Sequence, residues 1–305
     1  MMTRLDTYFD DKLEHDKIKL FLKRDDLYDI SGGGNKGRKL KFILNEEVKQ
    51  TYNALVTTGS NQSNHIRASL IKAKELGWET HIIIHDVKPA TEDDVTGNLR
   101  LTNLLADQIT YVEMKDVGQA MDNAMLELKE KGYNPLYIWG GGHCLEGTLA
   151  YYDAALELKN QLKSTEPDYI FLASGTGATQ AGLIVGCKTF FTECKVIGIS
   201  IAREKERGMT EIFKSVQELE HHLGSKICTI EDVFFDDSYN GGGYGNDYKE
   251  LEREIKTQAK KGIILDKTYT AKAFYGMMDY IKNGKVKPNS NIVFWHTGGL
   301  LNFLS

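Results

Sequence analysis

Short runs of β-branched and aromatic residues alternate with longer helical patterns along most of this chain. The patterns predict strands at 54–58, 81–85, 109–113, 136–139, 168–173, 195–200 and 291–295, and helices at 63–76, 97–106, 118–131 and 179–190. Strands that alternate with helices usually pair in parallel, with the helices covering both faces. We therefore predict an α/β fold of open, twisted, mostly parallel sheets with flanking helices.

The spacing of these units predicts two domains. Residues 51–150 would form a small domain around one open sheet, and 1–50 together with 151–305 would form a larger one. The chain has only 4 prolines, and no low-complexity segment or internal repeat marks the border. Its 305 residues are enough for two such cores.

Composition excludes several classes of protein. The net charge is −5 without a basic stripe, so we expect no nucleic-acid partner. No apolar run is long enough to cross a membrane, and the first residues lack a signal-peptide core. The 4 cysteines have no zinc-site spacing, so we expect reduced thiols, no metal and a soluble cytoplasmic protein.

Glycine-rich segments follow three of the predicted strands, at 59–64, 174–179 and 296–299. Parallel α/β sheets bind their ligands outside the carboxyl ends of the strands. The repeated placement therefore predicts a binding site that these three segments share.

The segment 174–182 leads from a predicted buried strand into a helix. Its glycines allow close backbone approach, and the free N–H groups of the new helix attract anions. Ser174, Thr176 and Thr179 add hydroxyl donors. The segment suits a phosphate, although it lacks the features of a nucleotide P-loop and of a dinucleotide fingerprint. A turn that binds nothing is the alternative.

Lys36 lies within a second glycine-rich segment, at 31–39. A lysine used for Schiff-base chemistry must stay partly neutral, and the neighbouring cations Arg38 and Lys39 would lower its pKa. Considered alone, however, Lys36 is better interpreted as a solvated loop residue.

Ser63, Asn64 and His65 open the helix after the first of these strands. One of the first two would cap the helix. Free N–H groups and hydroxyls at such a helix start also suit a substrate carboxylate. His65 could simply be a hydrogen-bonded helix histidine.

Several segments match one family in order along nearly the whole chain: 23–27, 32–40, 60–67, 174–182, 265–273 and 296–299. The sequence resembles the 1-aminocyclopropane-1-carboxylate (ACC) deaminase/D-cysteine desulfhydrase family. These are enzymes of tryptophan-synthase-β-like fold type II that use pyridoxal 5′-phosphate (PLP). The resemblance implies two sheets with the cofactor in the cleft between the domains. It also implies a homodimer and a small amino-acid substrate.

The resemblance also implies residue roles. Lys36 would be the Schiff-base lysine, and Asn64 would hydrogen-bond the phenolic oxygen of the cofactor. The phosphate would be held by Gly175, Thr176, Gly177, Ala178 and Thr179. Ser63, Lys39, Tyr244 and Tyr269 would complete the active site, with a plain loop aromatic as the alternative for Tyr244.

Thr270 separates two branches of the family. ACC deaminases carry a glutamate there, which pairs with the ring nitrogen and strengthens the electron sink. Thr270 implies a weaker sink, which suits β-elimination, and His65 also fits the desulfhydrase pattern. Departures at Lys267, Thr268 and Ala271, and in the segment 236–245, affect the substrate side.

We therefore predict a lyase that eliminates a β-substituent from a small amino acid, with D-cysteine as the leading substrate. Lys36 or Ser63 would remove the Cα proton. The alternatives are an ACC deaminase, a biosynthetic β-replacement enzyme and a non-catalytic protein that binds a phosphate-bearing ligand.

Overall fold

The computed structural model describes residues 4–8, 13, 16–28, 33–85 and 95–305. The strands in these ranges are β1 (Arg4–Tyr8), β2 (Lys19–Arg24), β3 (Ala54–Gly59), β4 (Glu79–His85), β5 (Gln108–Val112), β6 (Pro135–Ile138), β7 (Tyr169–Ser174), β8 (Lys195–Ser200), β9 (Phe234–Asp236) and β10 (Asn291–His296).

The helices in these ranges are α1 (Asn35–Ile43), α2 (Glu46–Thr51), α3 (Asn64–Glu75), α4 (Gly97–Leu105), α5 (Val117–Glu130), α6 (Leu145–Leu162), α7 (Ala178–Phe190), α8 (Lys205–Leu223), α9 (Lys249–Ala259), α10 (Thr270–Lys282) and α11 (Leu300–Phe303). None of them is long and apolar enough to cross a membrane.

The strands form two sheets. The larger has the order β1-β2-β10-β7-β8-β9, and only the β1–β2 pair is antiparallel. The smaller has the order β5-β4-β3-β6 and is wholly parallel. The predicted α/β fold with two mostly parallel sheets is confirmed. The division into domains at 51–150 remains a prediction.

The central strand β7 shows why the larger sheet is buried on both faces. All six of its residues are buried. Phe171 packs with Phe274 and Met277 of α10, whereas Ile170 and Leu172 pack on the opposite face with residues of α6, α7 and α8. Alternation across a strand produces this division. Full burial of a side chain such as Phe171 stabilises the fold by about 1.5–3 kcal/mol.

Two glycines of α7 allow α6 to approach closely. A Cβ at Gly182 would lie 2.2 Å from the carbonyl oxygen of Thr148, and one at Gly186 would lie 2.5 Å from the Cβ of Ala155. Any larger residue would push the two helices apart. Gly182 therefore serves helix packing, while the glycines before it belong to the loop at the helix start.

Every predicted strand and helix is present, with ends that differ by no more than two residues. Three strands, β1, β2 and β9, and the helices α1, α2, α6 and α8 to α11 had no counterpart in the prediction. The four cysteines are free, as expected, with Cys187 and Cys228 buried.

Candidate active site

Lys36 is the second residue of α1 rather than a loop residue. The helix begins after Gly33 and Gly34, whose positive φ angles of 82° and 97° favour glycine. The Lys36 Nζ is partly buried and donates to the carbonyl oxygen of Gly141 at 3.3 Å. Residues 31 and 32 of the predicted lysine segment lie outside the described residues.

Burial lowers the pKa of Lys36 from 10.5 to about 8. The sequence predicted a lowered pKa but attributed it to the neighbouring cations Arg38 and Lys39. That attribution is wrong, because burial is the cause of the shift and Arg38 is held in ion pairs with Asp25 at 2.8 Å and Glu157 at 2.9 Å. Desolvation of the ammonium is sufficient to lower its pKa.

Lys39, the predicted second lysine, is buried one turn further along α1. Its Nζ donates to the same Gly141 oxygen at 3.2 Å. Burial first, and then the charge of Lys36, hold the pKa of Lys39 well below its usual range. The site therefore holds two amines of reduced basicity beside one carbonyl.

The predicted anion cradle forms the turn between β7 and α7. Gly177, with φ 106°, precedes the helix, and a Cβ there would lie 2.9 Å from Ile212. The Ser174 Oγ is buried and has no hydrogen-bond partner among the described residues. Thr179 Oγ1 accepts from the Asn35 side chain at 3.3 Å, which joins the cradle to the Lys36 helix.

A glycine turn at 140–142 completes this side of the site, and the sequence analysis did not identify it. A Cβ at Gly141, with φ 78°, would lie 2.8 Å from Thr176 of the cradle. The turn follows the carboxyl end of β6, where the parallel-sheet rule also predicts ligand contacts. Three successive glycines after a strand were the signal that could have located it.

Ser63 is the cap of α3, because its Oγ accepts from the Ile66 N–H at 3.2 Å. Asn64, the first helical residue, accepts from Asn98 through its Oδ1 at 3.0 Å. Its amide N–H groups therefore stay available to a ligand. Asn98 also bonds Gln62 and Asn302, so the start of α3 is linked to α4 and to the C-terminal helix.

His65 is buried and lies 2.8 Å from the Thr57 hydroxyl, which donates its own proton to the Ile138 carbonyl. The His65 Nε2 must therefore donate. Burial, with smaller contributions from Lys36 and Lys39, keeps its pKa well below the usual range. His65 is thus a neutral, hydrogen-bonded helix histidine.

The two predicted tyrosines meet. The Tyr244 hydroxyl is hydrogen-bonded to the Tyr269 hydroxyl and lies 3.2 Å from the Ser60 hydroxyl. Burial and the neighbouring Tyr244 raise the pKa of Tyr269 well above its usual value. Tyr269 therefore stays neutral. The chain of three hydroxyls links the segment after β3 with the start of α10, and Ser60 is its unpredicted member.

Thr270 is buried and forms two hydrogen bonds with Asp266. Its hydroxyl donates to Asp266 Oδ1 at 2.7 Å and accepts from the Asp266 N–H at 2.9 Å. Asp266 also accepts from the backbone N–H groups of Thr268, Tyr269 and Thr270, which lead into α10, at 3.0 to 3.1 Å. Burial raises the pKa of the Asp266 carboxyl. The sequence analysis did not single out this carboxyl.

The glycines at 298–299 bring these parts together. A Cβ at Gly298 would lie 2.8 Å from Gly34, and one at Gly299 would lie 2.3 Å from Asp266. The Asn35 N–H also donates to the Thr297 carbonyl at 2.9 Å. The loop after β10 thus packs against the Lys36 helix on one side and the start of α10 on the other.

Comparison with known proteins identifies the family. The model of the family described as pyridoxal-phosphate-dependent enzyme matches residues 7–298. The chain belongs to this family. It is accordingly an enzyme that uses PLP, as the sequence predicted, and the non-catalytic alternative is set aside.

Individual relatives refine the comparison. A D-cysteine desulfhydrase of Klebsiella pneumoniae is 30% identical, over 94% of this chain and 88% of the relative. A protein of Pyrococcus abyssi, named provisionally as a 1-aminocyclopropane-1-carboxylate deaminase, is 32% identical over 93% and 85%. The crystal structure of an ACC deaminase homologue superposes with a TM-score of 0.89, at 29% identity over 100% of this chain and 91% of the homologue.

The residues of the site fit PLP. The unpartnered Ser174 hydroxyl and the free N–H groups at the start of α7 suit its phosphate. A partly neutral lysine suits its aldehyde, and the Asn64 amide is free to donate to its phenolic oxygen. Residues 175–179 would hold the phosphate, and Lys36 would hold the ring through its aldehyde.

Proposed function

We propose that this enzyme is a lyase that eliminates the β-substituent of a small amino acid, with D-cysteine as the leading substrate. Water and D-cysteine would give pyruvate, ammonia and hydrogen sulfide. The observation that carries the proposal is Thr270, where the resemblance places the residue facing the ring nitrogen. Its hydroxyl is already hydrogen-bonded to Asp266, and Asp266 is engaged with the start of α10.

Among the described residues, the resemblance therefore places no free carboxylate at the ring nitrogen. PLP, when bound, supplies an electron sink that stabilises negative charge at the substrate's Cα. Without a carboxylate to keep the nitrogen protonated, that sink is weak. Elimination tolerates a weak sink because the departing group takes up the electrons, whereas opening a cyclopropane ring needs a stronger one.

We assign removal of the Cα proton to Lys36. A general base works best when its pKa lies near the working pH, and the pKa of Lys36 is lowered to about 8. Ser63 lacks a bonded basic side chain among the described residues, and its Oγ already accepts from Ile66. Its proton is free, so Ser63 would donate to the substrate carboxylate instead.

We assign protonation of the leaving group to Tyr244 and Tyr269. Three hydroxyls joined by two hydrogen bonds use two of their three protons, and the third lies on Tyr269 when Ser60 donates to Tyr244 and Tyr244 donates to Tyr269. Because Tyr269 stays neutral, the pair can donate to a departing thiolate. Lys39, whose pKa is also lowered, lies beside the same Gly141 carbonyl as Lys36 and would exchange protons with it.

A substrate panel tests the reaction. Purified holoenzyme is assayed for 2-oxo acid and sulfide with D-cysteine, L-cysteine, β-chloro-D-alanine, D-serine, L-cysteate and ACC. We expect pyruvate and sulfide from D-cysteine. Formation of 2-oxobutyrate from ACC, with no turnover of D-cysteine, overturns the proposal.

ACC deamination is the second candidate, because relatives that cover most of this chain carry that name. A β-replacement reaction is a third, motivated by the residues at 267, 268 and 271. Adding a thiol or cyanide acceptor to the D-cysteine assay distinguishes it, since replacement would yield a new amino acid in place of pyruvate.

Anchoring of the cofactor is tested separately. Lys36→Ala is expected to abolish the visible, borohydride-reducible absorbance of the holoenzyme. Lys41→Ala, which removes an exposed amine from the same helix, is the control and should keep it. Unchanged reducible absorbance in the Lys36 variant would reject the assignment.

We also propose a cytoplasmic homodimer. The family resemblance supports the dimer, and four free cysteines suit a reducing compartment. Light scattering should give about twice the chain mass of 34.4 kDa. A monomer mass at micromolar concentration would contradict the dimer.

A further inference from the structure

Lys272 is a buried lysine whose role neither the family match nor the proposed mechanism explains. It is the third residue of α10, and its side chain is fully buried. Its Nζ donates to the carbonyl oxygens of Asn240 at 2.7 Å, Gly243 at 3.2 Å and Ile201 at 3.4 Å. An ammonium has three donors, so each carbonyl can receive one.

Lys272 keeps its charge at neutral pH. Burial lowers its pKa to about 8, while Asp266 and Asp247 act in the opposite direction. Three carbonyl dipoles pointing at one ammonium form charge-assisted hydrogen bonds, which are stronger than bonds between neutral groups.

Two of these carbonyls belong to the loop that carries Tyr244. Gly241, Gly242, Gly243 and Gly245 all have positive φ angles, and glycine loses more conformational freedom on ordering than any other residue. Tyr244 is 45% exposed, so packing does little to hold it. Such a loop needs an external contact to keep one conformation.

The other hydrogen bonds described for 240–243 stay close to the loop. Asn240 donates to Asp237, and Gly242 and Gly243 donate back to Asn240. They shape the turn without attaching it to a helix. Lys272 therefore joins the backbone of this loop to α10, in addition to the side-chain hydrogen bonds of Tyr239 to Asp279 and of Tyr244 to Tyr269.

We propose that Lys272 is a positioning residue that holds the 240–245 loop so that the Tyr244 hydroxyl stays bonded to Tyr269 and Ser60. Loss of the ammonium releases the loop and breaks the hydroxyl chain at Tyr244. This inference rests on the proposed function only in placing Tyr244 beside the substrate. The attachment of the loop is independent of the substrate.

Hydrogen exchange in the holoenzyme tests the attachment without any substrate. In Lys272→Met we expect amides of 240–245 to exchange at least tenfold faster, with β7 unchanged. Lys282→Met, an exposed lysine in the last turn of the same helix, is the control and should match the wild type. Unchanged exchange in 240–245 overturns the proposal, whatever the turnover.

Kinetics test whether the attachment acts through Tyr244. We expect Lys272→Met and Tyr244→Phe each to lower kcat/KM at least tenfold, and the double variant to be less than twofold worse than the poorer single variant. Additive losses would overturn the positioning role. Hydrogen exchange needs no turnover. If the enzyme does not act on D-cysteine, the proposed function is refuted, but the attachment of the loop by Lys272 can still be tested.

Rescue separates positioning from general damage. Lys272→Ala leaves a cavity lined by three carbonyl oxygens, which ammonium ions fit. Ammonium is used at about 100 mM, because a small cation binds such a cavity weakly. We expect it to slow hydrogen exchange in 240–245 and to raise kcat/KM of Lys272→Ala at least threefold. Tetramethylammonium, which has no N–H donors, should do neither. Equal effects of the two ions overturn the proposal.

If Lys272→Met does not fold, Lys272→Gln replaces it in the exchange and kinetic experiments. Glutamine keeps two N–H donors, so we expect an effect between those of the wild type and of a variant without donors.

Discussion

Lys36 and Lys39 donate to one acceptor, the carbonyl oxygen of Gly141, at 3.3 and 3.2 Å. Two ammonium groups that share an oxygen repel each other, and burial removes the solvent that would screen them. Burial and the charge of Lys36 together hold the pKa of Lys39 well below its usual range, whereas burial alone lowers that of Lys36, to about 8. Lys36 is therefore an amine that titrates near physiological pH.

The capture of PLP by apoenzyme should depend on pH through Lys36. Only the neutral amine attacks an aldehyde, and burial lowers the Lys36 pKa to about 8. The neutral fraction, roughly a tenth at pH 7, rises as pH increases through 8. The rate of PLP capture, followed by visible absorbance, should therefore rise to a midpoint near pH 8. Nα-acetyl-lysine in water is the control, and an enzyme midpoint above 10 would contradict the burial effect.

Gly141→Ala should weaken PLP binding. The added Cβ would lie 2.8 Å from Thr176 and press the glycine turn against the phosphate cradle. Gly132→Ala is the matched control, because Gly132 also has positive φ but has nothing within 4 Å of its Cβ position. Both variants should lose about 1–2 kcal/mol of stability from backbone strain. PLP titration should show at least a tenfold higher Kd for Gly141→Ala alone, and equal Kd values would disprove the contact.

Asn98→Asp should also weaken PLP binding, although Asn98 is remote in sequence from the site. The substitution replaces the N–H donor to Asn64 Oδ1 with a carboxylate oxygen, so Asn64 loses the bond that orients its amide. A lost hydrogen bond of about 1.5 kcal/mol raises the PLP Kd about tenfold. Asn103→Asp, exposed on the same helix, should leave the Kd unchanged. The same small effect in both variants would refute the orienting role.

Asp25→Asn should destabilise the enzyme strongly. Asp25 is fully buried and accepts from Arg38, from the Tyr151 hydroxyl at 2.7 Å and from the Trp295 indole at 2.8 Å. Removing its charge leaves Arg38 buried beside less negative charge, at a cost of about 3–5 kcal/mol of unfolding free energy. Urea unfolding measures this loss. Glu75→Gln, which breaks an exposed pair with Lys72, should cost at most about 0.5 kcal/mol, and a similar cost for both would contradict the prediction.

Periodic elements were predictable because their signals are local. The run 169–173 is apolar, and the glycines at 175 and 177 mark the turn into α7. The anion cradle and the start of α3 could be located for the same reason. Strand β1 was missed, since it is an edge strand with only Tyr8 buried and its pattern is weak.

Contacts between distant segments were not predictable. Gly141 lies 105 residues from Lys36, and Ser60 lies 184 from Tyr244. No local pattern in either segment encodes such a pairing. Lys272 likewise looks like an ordinary helix lysine in the sequence. Only the tertiary fold brings it two carbonyls from 240–243 and a third from Ile201.

By itself the sequence determined which segments can bind an anion, start a helix or bury a strand, because backbone freedom, capping and periodicity depend on neighbouring residues. The resemblance added the cofactor and the identity of Lys36. Tertiary structure decided the chemical state of those groups. Burial, rather than Arg38, made Lys36 less basic, and the Asp266 contact occupied the Thr270 proton. The first effect requires residues far apart in sequence to exclude water from one place, whereas the second joins residues only four apart at the start of a helix.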